Sequence, residues 1–499
     1  MHKRSWQKRF TAGALAFSLA VPAAVLGMPA AVLAQEQSQN KNQSTLFQVF
    51  ETLRDLHWSN VDEDTLLRGA VQGMLDVLND PYSEYFTPEE YKQFVDAINQ
   101  SYAGIGIRLG QDDNGYLVEE VFASTPAESA GLKKGDRIVS VDNKTTKGQQ
   151  LDVVTGWLRG KEGTPVTLQI ERTGQTPFSV TITRQAIKLP NLTSSMLDAE
   201  TGYIRLLSFG ETAGDEFDLA LADLQRKGVK SLVLDVRGNG GGLMDVSLHI
   251  ADRFLKSGLI VHAKERNYEH RVSADSEGVD LPLTILIDGD SASASELLAG
   301  TLQAHKRAKL IGQRSFGKGV MQAGKELENG SILKFTIGQF YFVDGTSPQG
   351  SGLKPDLSVH VRELQVPFAL QVLHPERGKS VRFDLAKNKT YVNEIEITNL
   401  KTIQKNGKYY VPLRFILEAF GSEVMWNPTD QSISFKYKDR LAKLSVPAGT
   451  MTVNDQPVQR TVPFFIENGV SYLSLEALQD ALLPDTLQNT GALIQIQDQ

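Results

Sequence analysis

The chain of 499 residues contains no cysteine. That absence removes disulfides, thiolate zinc sites, iron–sulfur clusters and cysteine nucleophiles together. Positive charge is also short: 52 Lys and Arg against 59 Asp and Glu leave a formal net charge of -7. A nucleic-acid binder needs a basic face to offset phosphate, so DNA and RNA are not the expected partners. Histidine is sparse, with 8 in the chain and none after His374. Beyond the N-terminal stretch, no apolar run reaches the ~18 residues that a membrane helix needs. What is present, 41% hydrophobic residues, belongs to a foldable chain and not to a disordered one. At roughly 150 residues per domain, the length predicts about three domains.

The N-terminus has the makeup of an export signal. Lys3, Arg4, Lys8 and Arg9 precede an apolar stretch from Phe10 to Ala34, and Val32-Leu33-Ala34 supplies the small-residue end of a signal peptidase site. A cleaved signal and a retained anchor both fit, since Pro22 and Pro29 are tolerated in membrane helices. Either places the rest of the chain outside the cytoplasm. Residues 35–45 read as a polar linker. From Leu46 to Gln100 apolar residues recur at helical spacing (Leu46, Val49, Phe50, Leu53; Leu67, Val71, Met74, Leu75, Leu78), broken at Asn79-Asp80-Pro81. From Ser101 to about Arg184, short β-branched runs separated by glycine predict a small β-rich domain. From Gly202 strands (Tyr203 to Phe209, Ser231 to Val236, Thr284 to Ile287) alternate with helices (around Asp215 to Lys227, Leu243 to Lys256, Ser293 to His305). That alternation predicts an α/β domain with largely parallel pairing. Beyond about Val381 the pattern resets. The stretches from Asn406 to Leu413 and from Asn468 to Leu475 look alike, which reads as an internal duplication in an appended domain.

The densest chemical signal runs from Ile287 to Gln322. A strand end, Leu286-Ile287-Asp288-Gly289-Asp290, passes into Ser291-Ala292-Ser293-Ala294-Ser295-Glu296 and then a helix. A serine at a strand-to-helix turn projects its hydroxyl from a sharp bend, and the N–H groups of the helix start can receive an oxyanion. One serine there is usually an N-cap, but three alternating ones cannot all occupy the cap. A nucleophilic serine needs a base. His305 lies on the same predicted helix, about 18 Å along it, and cannot reach. His57, His249, His262, His270, His360 and His374 have no supporting pattern and read as surface or packing residues. The alternative is Lys318 in Ser315-Phe316-Gly317-Lys318-Gly319, which must be neutral to accept a proton although its ordinary pKa is about 10.4.

Two other motifs cross this segment. Gly312 to Gly319 matches a P-loop except that Gly319 stands where the magnesium-binding Ser or Thr belongs. Ser315 and Lys318 have Ser-x-x-Lys spacing, but Gly317 and Gly319 oppose the helix which that motif requires. A second glycine-rich turn, Arg237-Gly238-Asn239-Gly240-Gly241-Gly242, follows a strand and leaves unshielded N–H groups suited to an anion or oxyanion, or simply makes a tight connection.

On these residues the chain resembles the carboxyl-terminal processing peptidases, which join a PDZ domain to a Ser-Lys dyad. Asn79-Asp80-Pro81-Tyr82-Ser83-Glu84-Tyr85 resembles the family's N-terminal module, and Tyr102-Ala103-Gly104-Ile105-Gly106-Ile107 its PDZ carboxylate-binding loop. Ala130-Gly131-Leu132-Lys133-Lys134-Gly135-Asp136-Arg137-Ile138 is similar to the PDZ stretch that follows. The segment from Ser291 to Glu296 matches the nucleophile motif, with the lysine 25 residues after Ser293.

The resemblance implies a multidomain α+β fold. Its parts would be a signal or anchor (1–34), a linker (35–45), an N-terminal helical module (46–100) and a PDZ β-sandwich or barrel (101–184). A Ser-Lys protease core of α/β type (185–375) and a small α+β domain (381–499) would follow. By position it implies Ser293 as nucleophile, Lys318 as general base, Gln322 as the residue orienting the lysine, and the backbone N–H of Ala294 with Gly241 or Gly242 as oxyanion hole, Gly241 favoured. Gly238 and Gly240 depart from the family's asparagine and proline in that loop. Gly104, Ile105, Gly106 and Ile107 would hold the C-terminal carboxylate of a protein or peptide substrate whose last residues add as a strand to the sheet edge. PDZ gating of the active site would follow, with Arg137 a candidate contact.

No metal or organic cofactor is implied. The region around Tyr410-Val411-Pro412-Leu413-Arg414-Phe415-Ile416 and Trp426 is similar to the N-terminal domain of some copper amine oxidases. With no histidine after His374 it reads as an attachment module for a cell-wall or envelope partner, without copper. The N-terminal helices would serve a homodimer or pack on their own core. The expectation is an exported serine endopeptidase acting on unstructured C-termini, and the rival is a catalytically silent PDZ scaffold of the envelope.

Overall fold

The computed structural model describes residues 30–112, 115–275, 277–387, 389–397, 402–458, 462–467, 469–482, 486–490 and 493–498. Most of residues 1–34, expected as a signal or anchor, thus lies outside the described residues. Among them no helix is long and apolar enough to cross a membrane. The chain divides into a unit ending at Pro81 and a unit beginning at Tyr82.

The first unit contains helices Ala30–Leu56 and Glu63–Val77. Residues 35–45, expected as a linker, are helical within the first of these. The second starts at Asp62, whose carboxylate accepts from the Thr65 N–H at 2.9 Å and caps an acidic first turn.

The second unit opens with strand Glu84–Phe86 and helix Pro88–Ile98, where Thr87 and Glu90 form a reciprocal capping box. The strand pairs antiparallel with Ile332–Tyr341, Glu84 opposite Lys334. Residues 84–86, expected within an N-terminal helical module, therefore extend a sheet formed much later in the chain.

The PDZ region is an antiparallel sheet in the order Ile107–Asp112, Gly115–Val121, Arg137–Val141, Pro165–Glu171, Phe178–Thr183. Its strands bury alternate residues, as Val166, Leu168 and Ile170 do on one strand, around a core shared with Ile105, Leu158 and Ile182. Helix Leu151–Leu158 covers the sheet. The Gly104–Ile107 run is not one strand: it breaks between Ser101–Gly104 and Ile107–Asp112.

The α/β core is a sheet ordered Leu192–Met196, Thr201–Leu206, Ser231–Asp235, Leu283–Ile287, Lys309–Gly312, Leu357–Ser358, antiparallel at the first pair and parallel after it. Ser231–Asp235 and Leu283–Ile287 are buried at every residue, which is why both read as continuous apolar runs. Alternation along these strands separates two cores. Leu232, Leu234, Ile285 and Ile287 pack with helices Ala213–Arg226, Met244–Asp252 and Ala294–Ala304. Val233, Leu286 and Ile311 point to the other face, where Leu364 and Ala369 and then Val381, Phe415 and Ile416 continue the same core. The region after Val381, expected as an appended domain, thus covers the back of this sheet. In it Lys408–Pro412 and Val470–Ser474 each run into a short helix and pair antiparallel, so the two similar stretches are neighbours in space.

Candidate active site

The serine turn grows from strand Leu283–Ile287. Asp288 closes it: its N–H donates to Ser291 Oγ (3.0 Å), and its Oδ1 accepts from the N–H groups of Asp290 (3.2 Å) and Gly238 (2.9 Å). The three serines divide their work. Ser291, fully buried, donates to the Val236 carbonyl at 2.8 Å, and Ser295, also fully buried, donates to the Asn239 carbonyl at 2.8 Å. Both bind the serine turn to the glycine loop. Ser293 alone is partly exposed, at φ 56° and ψ -112°. A non-glycine residue in that region costs about 1–3 kcal/mol, and such strain recurs at reactive turns.

The glycine loop lies directly on this turn. A Cβ on Gly241 (φ 104°) would stand 2.9 Å from Ser293 Cβ and 3.0 Å from the Ala294 nitrogen; on Gly242 (φ 145°) it would stand 2.5 Å from the Phe209 carbonyl oxygen. Backbone conformation and space both require glycine. The Gly241 N–H donates to Asn239 Oδ1 at 2.9 Å, while the Gly242 N–H has no partner among the described residues. Below the loop, Arg237 is bidentate to Asp235 and donates to Gln365 Oε1 at 2.8 Å. Burial would raise the Asp235 carboxyl, but Arg237 and the Tyr203 hydroxyl outweigh it and hold it below its ordinary range.

Lys318 lies in the loop between strands Lys309–Gly312 and Val320–Glu326. Its backbone N–H donates to Glu296 Oε2 at 2.7 Å, and the same oxygen accepts from the Ser293 N–H at 3.0 Å. Its ammonium lies 4.9 Å from the centre of the Tyr82 ring, a face that attracts the charged form. Gln322 sits on strand Val320–Glu326, opposite Thr336 and beside a register irregularity. The Gln322 Nε2 and the Thr336 Oγ1 are buried with no hydrogen-bond partner among the described residues.

Ser293, Ala294, Gly242 and Gln322 line one cavity of about 260 Å³, whose walls include Phe94, Met244, Leu297 and Phe340. Lys318 and Gly241 are not among its lining residues; both meet the serine turn through backbone contacts. The histidines are engaged elsewhere: His305 with the Leu259 carbonyl (2.7 Å), His249 with Asp218 (3.1 Å) and His374 with Thr201 (2.9 Å). Ser315 is buried and Lys318 lies in a loop, so they share no helix face.

In the PDZ loop the carbonyls of Ile105 and Gly106 accept from Ala127 (2.8 Å) and Phe122 (3.0 Å), whereas their N–H groups donate to nothing among the described residues. Gly106 (φ 86°) is pressed against Thr125, where a Cβ would come to 2.3 Å. Arg137 is bidentate to Asp112 within the PDZ region (2.8 and 2.9 Å). Glu296, Ser315, Asn239 and Tyr82 carry contacts that sequence reasoning gave no role. For Glu296 a signal existed: a glutamate three residues after a serine at a helix start.

Comparison with known proteins matches four segments of the chain. Residues 200–359 match peptidase family S41, 103–182 a PDZ domain, 26–90 the N-terminal domain of the activating protease CtpB, and 391–484 the copper amine oxidase N-terminal domain. The chain is 30% identical over 450 residues to the carboxy-terminal processing protease CtpA of Bacillus subtilis (strain 168), a match spanning 88% of this chain and 90% of that one. It is 36% identical over 343 residues to the carboxy-terminal-processing protease of Bartonella bacilliformis, covering 66% and 79%. A solved photosystem II D1 C-terminal processing protease is 27% identical with a TM-score of 0.41, covering 65% of this chain and 92% of that one. The protein is a PDZ-containing serine protease. The chain belongs to the carboxy-terminal processing proteases of peptidase family S41. The resemblance read from its motifs, and the mixed α+β fold which that implies, are borne out.

Proposed function

We propose that the protein cleaves polypeptides presented by their free C-termini, with Ser293 as nucleophile and Lys318 as general base. The observation that carries this reading is the single carboxylate oxygen of Glu296 shared by the Ser293 and Lys318 backbones, with Ser293 the one partly exposed serine of its turn. Neutral Lys318 takes the Ser293 Oγ proton as Oγ bonds to the scissile carbonyl carbon. The resulting oxyanion is received by backbone N–H groups, that of Ala294 and one from the glycine pair. Gly242, which lines the cavity with its N–H unengaged, is better placed for this than Gly241 in the present conformation. Collapse breaks the C–N bond, and the lysine returns its proton to the leaving amine. Water, deprotonated by the same lysine, then hydrolyses the ester and restores Ser293. Gln322 stands at the cavity with an amide nitrogen available to orient the lysine or the substrate.

Unpaired N–H groups at Ile105 and Gly106 support a carboxylate seat on the PDZ domain. The apolar cavity beside Ser293 suits an apolar residue next to the scissile bond. Export through residues 1–34, cleaved or retained, an envelope partner for the C-terminal domain, and dimerisation complete the reading. Phe47, Val49 and Leu53, exposed on helix Ala30–Leu56, supply an apolar face for the last of these.

The test is cleavage of an unfolded protein ending in apolar residues, followed by mass spectrometry, with wild type, Ser293→Ala and Lys318→Ala in parallel. Both variants should lose about 10⁴-fold or more in turnover while still binding a C-terminal peptide. Full turnover by either would refute the dyad. Peptide binding without cleavage by wild type would favour the scaffold.

A further inference from the structure

We propose that Glu296 is a positioning residue that sets the register between the serine turn and the lysine loop. The inference rests on the Ser293–Lys318 reading and deepens it.

Glu296 is fully buried, and its carboxylate takes donors from two segments far apart in sequence. Oε2 accepts from the N–H groups of Ser293 (3.0 Å) and Lys318 (2.7 Å). Oε1 accepts from the Gly317 N–H (2.7 Å) and the Ser315 hydroxyl (2.5 Å). A carboxylate has about four lone-pair sites, and four donors occupy them. None of the four is cationic. A buried charge balanced by neutral dipoles alone is costly to desolvate, by several kcal/mol, so stability is a weak reason for it. Ordinary helix capping accounts for the bond to Ser293 and for no other.

The loop it holds has no regular structure between Gly312 and Val320. Besides Glu296, that loop meets the serine turn through the Phe316 N–H on the Ser291 carbonyl (3.1 Å). The remaining ties run elsewhere: Ser315 with Leu353, and the Gly319 N–H with Gln349 Oε1 at 2.8 Å. Glu296 is therefore the one side chain bonded both to the nucleophile's backbone and to the base's backbone among the described residues. Proton transfer between Ser293 and Lys318 needs hydrogen-bond reach, and a displacement of about 1 Å can cost on the order of 100-fold in rate. Glutamine does not replace the carboxylate here, because its amide NH₂ would face donors where an oxygen must accept.

The experiment uses the full chain with a peptide substrate ending in a free apolar C-terminus, comparing wild type, Glu296→Gln and Ser293→Ala. Ser293 is counted with a fluorophosphonate probe. A positioning role predicts kcat lowered about 100-fold in Glu296→Gln with KM and labelling stoichiometry close to wild type, but with labelling slowed in parallel with kcat. A merely structural role would lower the labelled fraction and leave kcat per labelled site unchanged, and that result would overturn the proposal. Wild-type kcat in Glu296→Gln beside an inactive Ser293→Ala would overturn it while leaving the dyad intact. Wild-type cleavage by Ser293→Ala would overturn both. Should Glu296→Gln not fold, Ser315→Ala, which removes one of the four donors, decides: a kcat about tenfold lower at unchanged KM supports the proposal, and unchanged kcat overturns it.

Discussion

On the front of the central sheet, Leu232, Leu234, Ile285 and Ile287 pack beneath helices that start at the glycine loop and at Ser293; on the back, Val233, Leu286 and Ile311 pack against Gln365–Leu373 and the C-terminal domain. Both faces are built from alternate residues of the same strands. Their polar crossings differ. Around the front helices the backbone leaves the ordinary regions at Ser293, Gly241 and Gly242. Glu296 holds that irregular geometry with neutral donors. At the back a second buried glutamate, Glu418 on helix Leu413–Ala419, accepts from the N–H groups of His360 and Val361, both at 2.9 Å, and fastens its helix to the connection that follows strand Leu357–Ser358. Similar chemistry thus serves geometry on one face and attachment on the other. Strained turns gather at the carboxyl ends of parallel strands, where loops are free of the ladder and can approach a ligand.

The comparison breaks most sharply at the glycine loop. Gly241→Ala should lower kcat by about 100-fold or more, since its Cβ would meet the serine turn at 2.8 to 3.0 Å. Gly240→Ala, one residue away, has open space around it and should stay within about twofold of wild type. Steady-state kinetics on the pair checks both, and equal effects would mean that loop flexibility, not contact, governs catalysis.

At the back, Glu418→Ala leaves two part-buried N–H groups without their carboxylate partner and should cost about 1–2 kcal/mol, a Tm lower by a few degrees. Its kcat per folded molecule should change less than about threefold. A loss in kcat above tenfold would show that the back governs the front, through Arg362 on Asp288 (2.8 Å) and Gln365 on Arg237.

The smallest effect expected concerns Asp198, which accepts from the Glu200 and Thr201 N–H groups and from Arg377 (2.6 Å), tying the core sheet to the chain that leads into the C-terminal domain. Burial opposes ionisation, but these bonds prevail and lower its pKa to about 2. A carboxyl depressed on folding stabilises above its unfolded pKa, and that contribution fades as pH falls toward 2. Solvent screening limits it to about 1 kcal/mol or less. The stability gap between wild type and Asp198→Asn should be open at pH 5 and closed near pH 2; a gap that does not vary with pH would remove the charge from the explanation.

The front was the more legible face. Fully buried apolar strands, a serine-rich strand-to-helix turn and paired glycines are local signals, and the helix expected around Ser293 to His305 runs from Ala294 to Ala304. Strand Val320–Glu326, which carries Gln322, has no mark in the sequence. Its sequence, Val-Met-Gln-Ala-Gly-Lys-Glu, has one β-branched residue and no buried face, so neither propensity nor period marked it. The helical module was read to Gln100, yet Glu84–Phe86 is a strand because its partner lies near residue 333, beyond the reach of any local pattern. Residues 35–45 have the polar composition of a linker and are nevertheless helical.

By itself the sequence determined the residue types and the periodicities. No cysteine excludes thiol chemistry, continuous apolar runs demand burial on both strand faces, and glycine at 241 and 242 permits a backbone that other residues resist. Only the tertiary structure decided which of three serines keeps its hydroxyl partly exposed, which element covers the second face of the sheet, and that one carboxylate joins Ser293 to Lys318. The physical reason is range. Periodicity and propensity act over a few residues of chain, whereas a buried carboxylate is satisfied by whatever donors the fold brings within 3 Å, here Ser293 and Lys318, 25 residues apart.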